Sequence, residues 1–132
     1  MKIDFISSLA VFLGGGLGCL LRYFVVCLAS RFQPLLFPYH TFFVNIVSCF
    51  IIGLAFSVLV IKFDAEQSLK LLIMAGFCGG LSTFSALSLE VINLFQAQHY
   101  AIALTYAILS LILCILATVF GMLAGGLLVK HT

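Results

Sequence analysis

The chain alternates long apolar stretches with short polar ones, and the lengths of the apolar stretches carry the first inference. Four runs, over residues 5–28, 41–61, 69–95 and 100–129, are almost wholly apolar. A hydrocarbon core about 30 Å thick needs roughly 20 apolar residues in helical form, so each run predicts one membrane-spanning helix. Polar residues collect between the runs: Arg31, Gln33, Pro34, Pro38 and His40 in the first connector, Lys62, Asp64, Glu66 and Gln67 in the second, and Gln96, Gln98 and His99 in the third. The pattern predicts an all-α integral membrane protein, residues 1–132 forming a single four-span unit with no room for a soluble domain.

Composition strengthens this reading. With 64% hydrophobic and only 8% charged residues, the chain lacks the side chains to build a charged, water-facing surface. Lys2 before an apolar run that ends among Gly14, Gly15, Gly16 and Gly18 has the outline of a signal peptide. The run continues unbroken into Cys19, Leu20 and Leu21, however, and reaches spanning length, which favours a first transmembrane helix. The cysteines at 19, 27, 49, 78 and 114 all fall within spans, are odd in number and contain no CxxC pair. They read as small apolar residues, with neither a disulfide framework nor a metal site expected. Lys2, Lys62, Lys70 and Lys130 fall on one side of a four-span hairpin bundle and Arg31 on the other. That bias favours cytoplasmic termini, and Arg22 softens it if it is counted.

Four spans fill their own centre with side chains, so a transport pathway would call for a partner chain. Gly14 and Gly18 form a GxxxG pair, and Ser48 and Gly53 thin the second span; such residues let helix backbones approach closely in lipid. The third span differs in kind, because Gly79-Gly80 is followed by Ser82, Thr83 and Ser85. One reading is a helix broken near its middle, which exposes partly charged backbone ends to an ion. The other is a continuous helix whose hydroxyls bond back to the preceding turn.

Several polar side chains lie inside the spans. The Asn45 amide suits either an anion that must shed water or a clamp between helices. Phe84 and Leu87 share a helical face, and an aromatic ring presents a positive edge to an anion, although ordinary packing would explain a phenylalanine equally well. Tyr106, Ser110, Cys114 and Thr118 recur at every fourth position and form one stripe, either a hydrogen-bonding track or a set of interhelical contacts. Arg22 and Glu90 are the charges closest to membrane depth, where charge is functional by default. Arg22 could draw anions to a pore mouth, and either residue could instead sit in an interfacial ion pair.

The motifs "GGGLGCLLRY" at 14–23, "TFFVNIVSCFIIG" at 41–53 and "GFCGGLSTFSALSLE" at 76–90, in this order on four spans, resemble the CrcB/Fluc family of fluoride channels over nearly the whole chain. The resemblance implies a passive, fluoride-selective channel, not an enzyme, that exports fluoride from the cytoplasm and relieves its toxicity. It implies an antiparallel, dual-topology dimer with two pores beside a central structural sodium ion, in a cell membrane, for a bacterium the inner one. By that likeness Asn45 and Phe84 face fluoride, and Tyr106, Ser110 and Thr118 form the polar side of the pore. Arg22 lies in the vestibule, and the third helix is broken near its middle, so that the backbone carbonyls of Gly79 and Ser82 hold sodium. Neutral amide, hydroxyl and ring-edge contacts fit a small, strongly hydrated anion, because fixed positive charge at a constriction would hold it too long for rapid exit.

Three positions depart from the family pattern. Leu87 stands where a second phenylalanine is usual, Cys114 replaces a frequent serine with a weaker donor, and Ser48 replaces a usual glycine. The lysine bias raises the possibility of half of a heterodimer, whereas the nearly complete motif set favours a homodimer. A small multidrug-type proton-coupled antiporter shares the size and span count but needs a first-span carboxylate, and the only acid near that span is Asp4 at its start. A helix-packing membrane subunit that transports nothing is the remaining alternative. Leu87→Phe is predicted to preserve or raise fluoride flux from proteoliposomes, and a severe loss would show that this face does not follow the family's geometry.

Overall fold

A computed structural model of the protein describes residues 4–29, 31, 36–62 and 64–130. Lys2, Gln33 and Pro34 lie outside the described residues, as do the side chains of Lys62 and Lys130. Helix α1 spans Phe5–Ala29 and α2 spans Tyr39–Ala55, the latter running on in wider π-helical turns over Phe56–Lys62. A third line is composite: α3 (Gln67–Lys70), π-helical turns over Leu71–Cys78, a single turn α4 (Gly79–Leu81), and α5 (Phe84–Gln96). The last helix, α6, covers Tyr100–Lys130. Among the described residues four lines are long and apolar enough to cross a bilayer, Phe5–Ala29, Tyr39–Ile61, Gln67–Gln96 and Tyr100–Leu128. The protein is a multi-pass membrane protein.

Local chemistry sets several of the element ends. Asp4 accepts the Ser7 N–H at 2.8 Å, satisfying one of the orphan donors at the start of α1. Hydrogen bonds from the Ser7 hydroxyl and then its N–H hold the Asp4 carboxyl below the usual carboxylate range. In the second connector Lys70 lies 2.7 Å from Asp64 and, by hydrogen bond and charge, lowers that carboxyl as well. Helix α5 ends in a left-handed residue, Gln98, with φ of 63°. The His99 N–H reaches back to the Leu94 carbonyl and the Gln98 N–H to that of Phe95, the Schellman arrangement that turns the chain into α6.

The core is the reverse of a water-soluble one. Large apolar side chains such as Phe5, Phe12, Phe24 and Phe120 face outward, while Thr41, Asn45, Ser48, Ser57 and Ser110 are buried with small residues. Lipid tails are as apolar as leucine, so helices associate through close backbone contact and polar bonds rather than through hydrophobic drive. Glycine makes that contact possible. A β-carbon at Gly14 would collide with the Leu72 carbonyl, one at Gly18 with the Phe77 carbonyl, and one at Gly80 with the Gly15 carbonyl. The same holds between α2 and α6, where Gly53 meets the Thr118 carbonyl and Gly121 that of Phe50.

These contacts sort the halves of the third line. Leu71–Cys78 and α4 pack mainly on α1, whereas α5 packs mainly on α6. Between them stand Ser82 (φ −77°, ψ 155°) and Thr83 (φ −152°, ψ 111°), both extended. Gly79, by contrast, is helical, with φ −65° and ψ −34°.

The glycine contacts yield a paired prediction. Gly14→Ala should destabilise the protein in detergent by about 1–3 kcal/mol, the range for overpacking. Gly16→Ala, whose β-carbon would meet nothing within 4 Å, should stay within about 0.5 kcal/mol of the parent or gain slightly. Thermal unfolding of the two variants side by side checks this, and equal melting would remove the close α1 contact as its cause.

Candidate functional site

The site begins with one amide. Asn45, one turn beyond Thr41 on α2 and only 6% exposed, accepts the Thr83 N–H through Oδ1 at 2.8 Å and donates from Nδ2 to the Thr83 carbonyl at 3.3 Å. A buried amide without partners is costly, and so is an extended peptide inside a bilayer; here each supplies what the other lacks. The Thr83 hydroxyl accepts the Ala86 N–H at 3.2 Å, an N-cap for α5. In an unbroken helix the Thr83 N–H would serve the Gly79 carbonyl and the Ala86 N–H that of Ser82. Both donors are committed elsewhere.

Upstream, the Cys78 carbonyl accepts three donors: the Ser48 hydroxyl at 2.9 Å, the Ser82 hydroxyl at 3.0 Å and the Ser82 N–H at 2.9 Å. Ser48 thus ties α2 to the last turns before the extended pair. The Cys19 thiol meets the Gly80 carbonyl at 3.5 Å from the α1 side.

Beside the Asn45–Thr83 contact lies a cavity of about 210 Å³ lined by Asn45, Cys49, Ser82, Thr83, Phe84, Leu87, Ala107, Ser110, Leu111 and Cys114. Six of the residues given a pore or sodium role from sequence therefore meet there: Asn45, Ser82, Phe84, Leu87, Ser110 and Cys114. Two donors in it have no partner among the described residues. The Ser110 hydroxyl is buried and unpaired, and Asn45 uses only one of its two amide hydrogens. Phe84 is the first residue of α5 and is 80% exposed, so most of its ring faces away from this chain. Leu87 packs instead against the buried cluster of Phe42, Leu94, Ala103 and Tyr106.

The other candidates lie apart from the cavity. Thr118 donates back to the Cys114 carbonyl at 3.0 Å, so the α6 stripe divides. Arg22 reaches the Cys19 thiol at 3.8 Å, with no acid beside it among the described residues. Gly79 sits in α4 with open space where a β-carbon would go.

Tyr106, fully buried, belongs to a second polar cluster. Its hydroxyl donates to Glu90 Oε2 at 2.7 Å, the Thr41 hydroxyl donates to Glu90 Oε1 at 2.7 Å, and His40 Nε2 lies 3.4 Å from the same oxygen. The Phe37 ring meets the Tyr106 ring edge-on at 5.2 Å. Sequence alone singled out Glu90 as a charge at depth but not these partners. Thr41, one turn before Asn45, was the available signal, since a hydroxyl and an amide on one face of an apolar helix need partners on a neighbour. Thr83 was noted for its hydroxyl, whereas its backbone groups make the principal contact.

The family model described as CrcB-like protein, Camphor Resistance (CrcB), matches residues 9–122. A fluoride-specific ion channel FluC of Rhizobium johnstonii is 39% identical over 117 residues, covering 89% of this chain and 94% of that protein. The FluC of Flavobacterium psychrophilum is 41% identical over 111 residues, or 84% and 90% of the two chains. That of Rhodopseudomonas palustris is 37% identical over 124 residues, or 94% and 97%. The family match takes in all three motifs and most of the four candidate spans, and relatives at this identity run nearly end to end: the chain belongs to the CrcB family.

Proposed function

We propose that this protein is a passive, fluoride-selective channel subunit that lets fluoride leave the cytoplasm, acting as a dimer of two oppositely oriented copies in a bacterial inner membrane. The relatives' shared name, fluoride-specific ion channel, supports the ion. The observation that carries the reading is the cavity holding two unclaimed neutral donors, the Ser110 hydroxyl and the second Asn45 N–H, beside the Phe84 ring. Fluoride is small and tightly hydrated, so its dehydration calls for close donors, and uncharged ones let it leave again. No covalent step is involved.

The extended pair Ser82–Thr83 serves, in this reading, as a break in the third span at membrane depth. Its outward-facing neighbour Phe84 is a natural contribution to a pore shared with a second copy, since the ring is 80% exposed on one chain. The carbonyls of Gly79 and Ser82, whose helical donors are diverted to Asn45 and Thr83, suit a hard cation that prefers oxygen ligands. A sodium ion held there between two copies would supply fixed positive charge that pins the two breaks together. Arg22, near the end of α1, would serve as a vestibule charge that concentrates anions. Tyr106 would reach the pathway only through Glu90, Cys114 would be a weak donor in it, and Thr118 would border it from outside.

Reconstituted protein should release fluoride from vesicles without a proton gradient and leave chloride behind; failure to discriminate the two anions would overturn the reading. Asn45→Asp keeps the acceptor for the Thr83 N–H but sets a carboxylate in the cavity. Repulsion at about 4 Å and intermediate dielectric is roughly 4 kcal/mol, about a thousandfold in occupancy, so flux should fall to the level of protein-free vesicles. Full retained flux would remove Asn45 from the pathway.

Ser110→Ala separates transport from stability. Removing an unpaired buried hydroxyl should leave unfolding unchanged or raise stability by about 1 kcal/mol, while fluoride flux drops by roughly tenfold or more. Flux and stability falling together would mean that the hydroxyl is a packing element.

A further inference from the structure

Two of the cysteines, 65 positions apart in sequence, face the same cavity. Cys49 follows Asn45 by one turn on α2, and Cys114 follows Ser110 by one turn on α6, so each thiol stands about 6 Å along its helix from a polar residue of the site. Neither thiol is tied up in a disulfide, and the two line the cavity from facing helices. Among the described residues no third histidine, cysteine or carboxylate joins them. A tetrahedral ion such as zinc therefore lacks its ligands. A soft ion that coordinates linearly needs only two sulfurs.

We propose that Cys49 and Cys114 form a two-coordinate site for a thiophilic divalent cation of the mercuric type, and that filling it closes the cavity. On binding, two S–H bonds break, two metal–sulfur bonds form, and two protons leave to water, with no change of oxidation state. Charge favours the divalent ion: two thiolates and one dication are neutral together, so no net charge is left in the apolar interior. The ion then sits one turn from Asn45 and Ser110, where it fills the space beside their free donors. The block of transport rests on the fluoride reading above, whereas the binding of metal does not.

The test uses the full-length purified protein and Hg2+ as the probe, with the mercury that stays on the protein measured after gel filtration in excess glutathione. Against a monothiol competitor only a preorganised pair retains the ion, because the second sulfur binds at high effective concentration. One tightly held equivalent per chain is expected. Its affinity should fall by about a hundredfold or more in Cys49→Ser and in Cys114→Ser, and the corresponding alanine variants carry the same expectation. Cys19→Ser should hold the ion as the parent does. Equal retention in the Cys49 and Cys114 variants, or none in the parent, overturns the site.

A second arm reads the ratio of fluoride efflux with and without Hg2+ for each chain under the same competitor, with reversal by dithiothreitol. Metal held but efflux unblocked overturns closure. Metal held in a chain that passes no fluoride at all supports the site and overturns the channel reading.

Discussion

One side chain bears the main structural constraint. The Asn45 amide offers a donor and an acceptor to the two backbone groups of Thr83, and without that exchange an extended peptide inside a bilayer would have nowhere to place them. Everything nearby follows from where the Thr83 N–H goes. Its commitment to Asn45 frees the Gly79 carbonyl from helical duty, lets the Thr83 hydroxyl cap a new helix, and makes Phe84 that helix's first residue. The same step carries the chain from contact with α1 to contact with α6, which opens the cavity between the polar faces of α2 and α6.

A constraint of this kind works only on a stiff frame. The frame comes from backbone-to-backbone contact at glycines and from hydroxyls bonded to carbonyls of other helices. Gly14 and Gly18 hold α1 against Leu72 and Phe77, Gly53 and Gly121 lock α2 to α6, and the Ser57 hydroxyl bonds the Met122 carbonyl at 2.7 Å. Each replaces a hydrophobic contact that lipid cannot reward. The Cys78 carbonyl, gathering donors from Ser48 and Ser82, anchors the turn immediately before the extended pair, so Asn45 and Ser48 grip it from one face of α2.

What the sequence makes legible divides along the same line. Length and hydropathy mark four spans because a bilayer sets a minimum apolar run, and polar residues within those runs stand out because each needs a partner. The partner is not legible. Gly79 and Gly80 draw attention to the right neighbourhood, yet both are helical, and Gly80 serves contact with Gly15 on α1. The extended residues are the hydroxyl pair that follows, chosen by Asn45 from 38 positions away. Helical spacing likewise groups Tyr106, Ser110, Cys114 and Thr118 on one stripe without telling what each meets. A stripe winds slowly around a helix, so its ends face different neighbours: Thr118 bonds back within its own helix, Tyr106 turns to Glu90, and of the four only the middle pair lines the cavity.

That division bears on how an anion pathway would be tuned. Glu90 is the only carboxylate within the third line between Gln67 and Gln96, and a negative charge near the path would repel the anion it is meant to pass. Thr41 and Tyr106 spend their hydroxyl hydrogens on its two oxygens, and His40 stands beside one of them. Those hydroxyls are therefore withdrawn from any anion while the carboxylate keeps them. The donors left over are the Ser110 hydroxyl, one turn along α6 from Tyr106, and the second N–H of Asn45, one turn along α2 from Thr41. On both helices a polar residue bound to Glu90 is followed one turn later by one facing the cavity. In such a pathway, charge and anion would thus be handled by adjacent turns of the same two helices, and the order of residues along each helix would keep them apart.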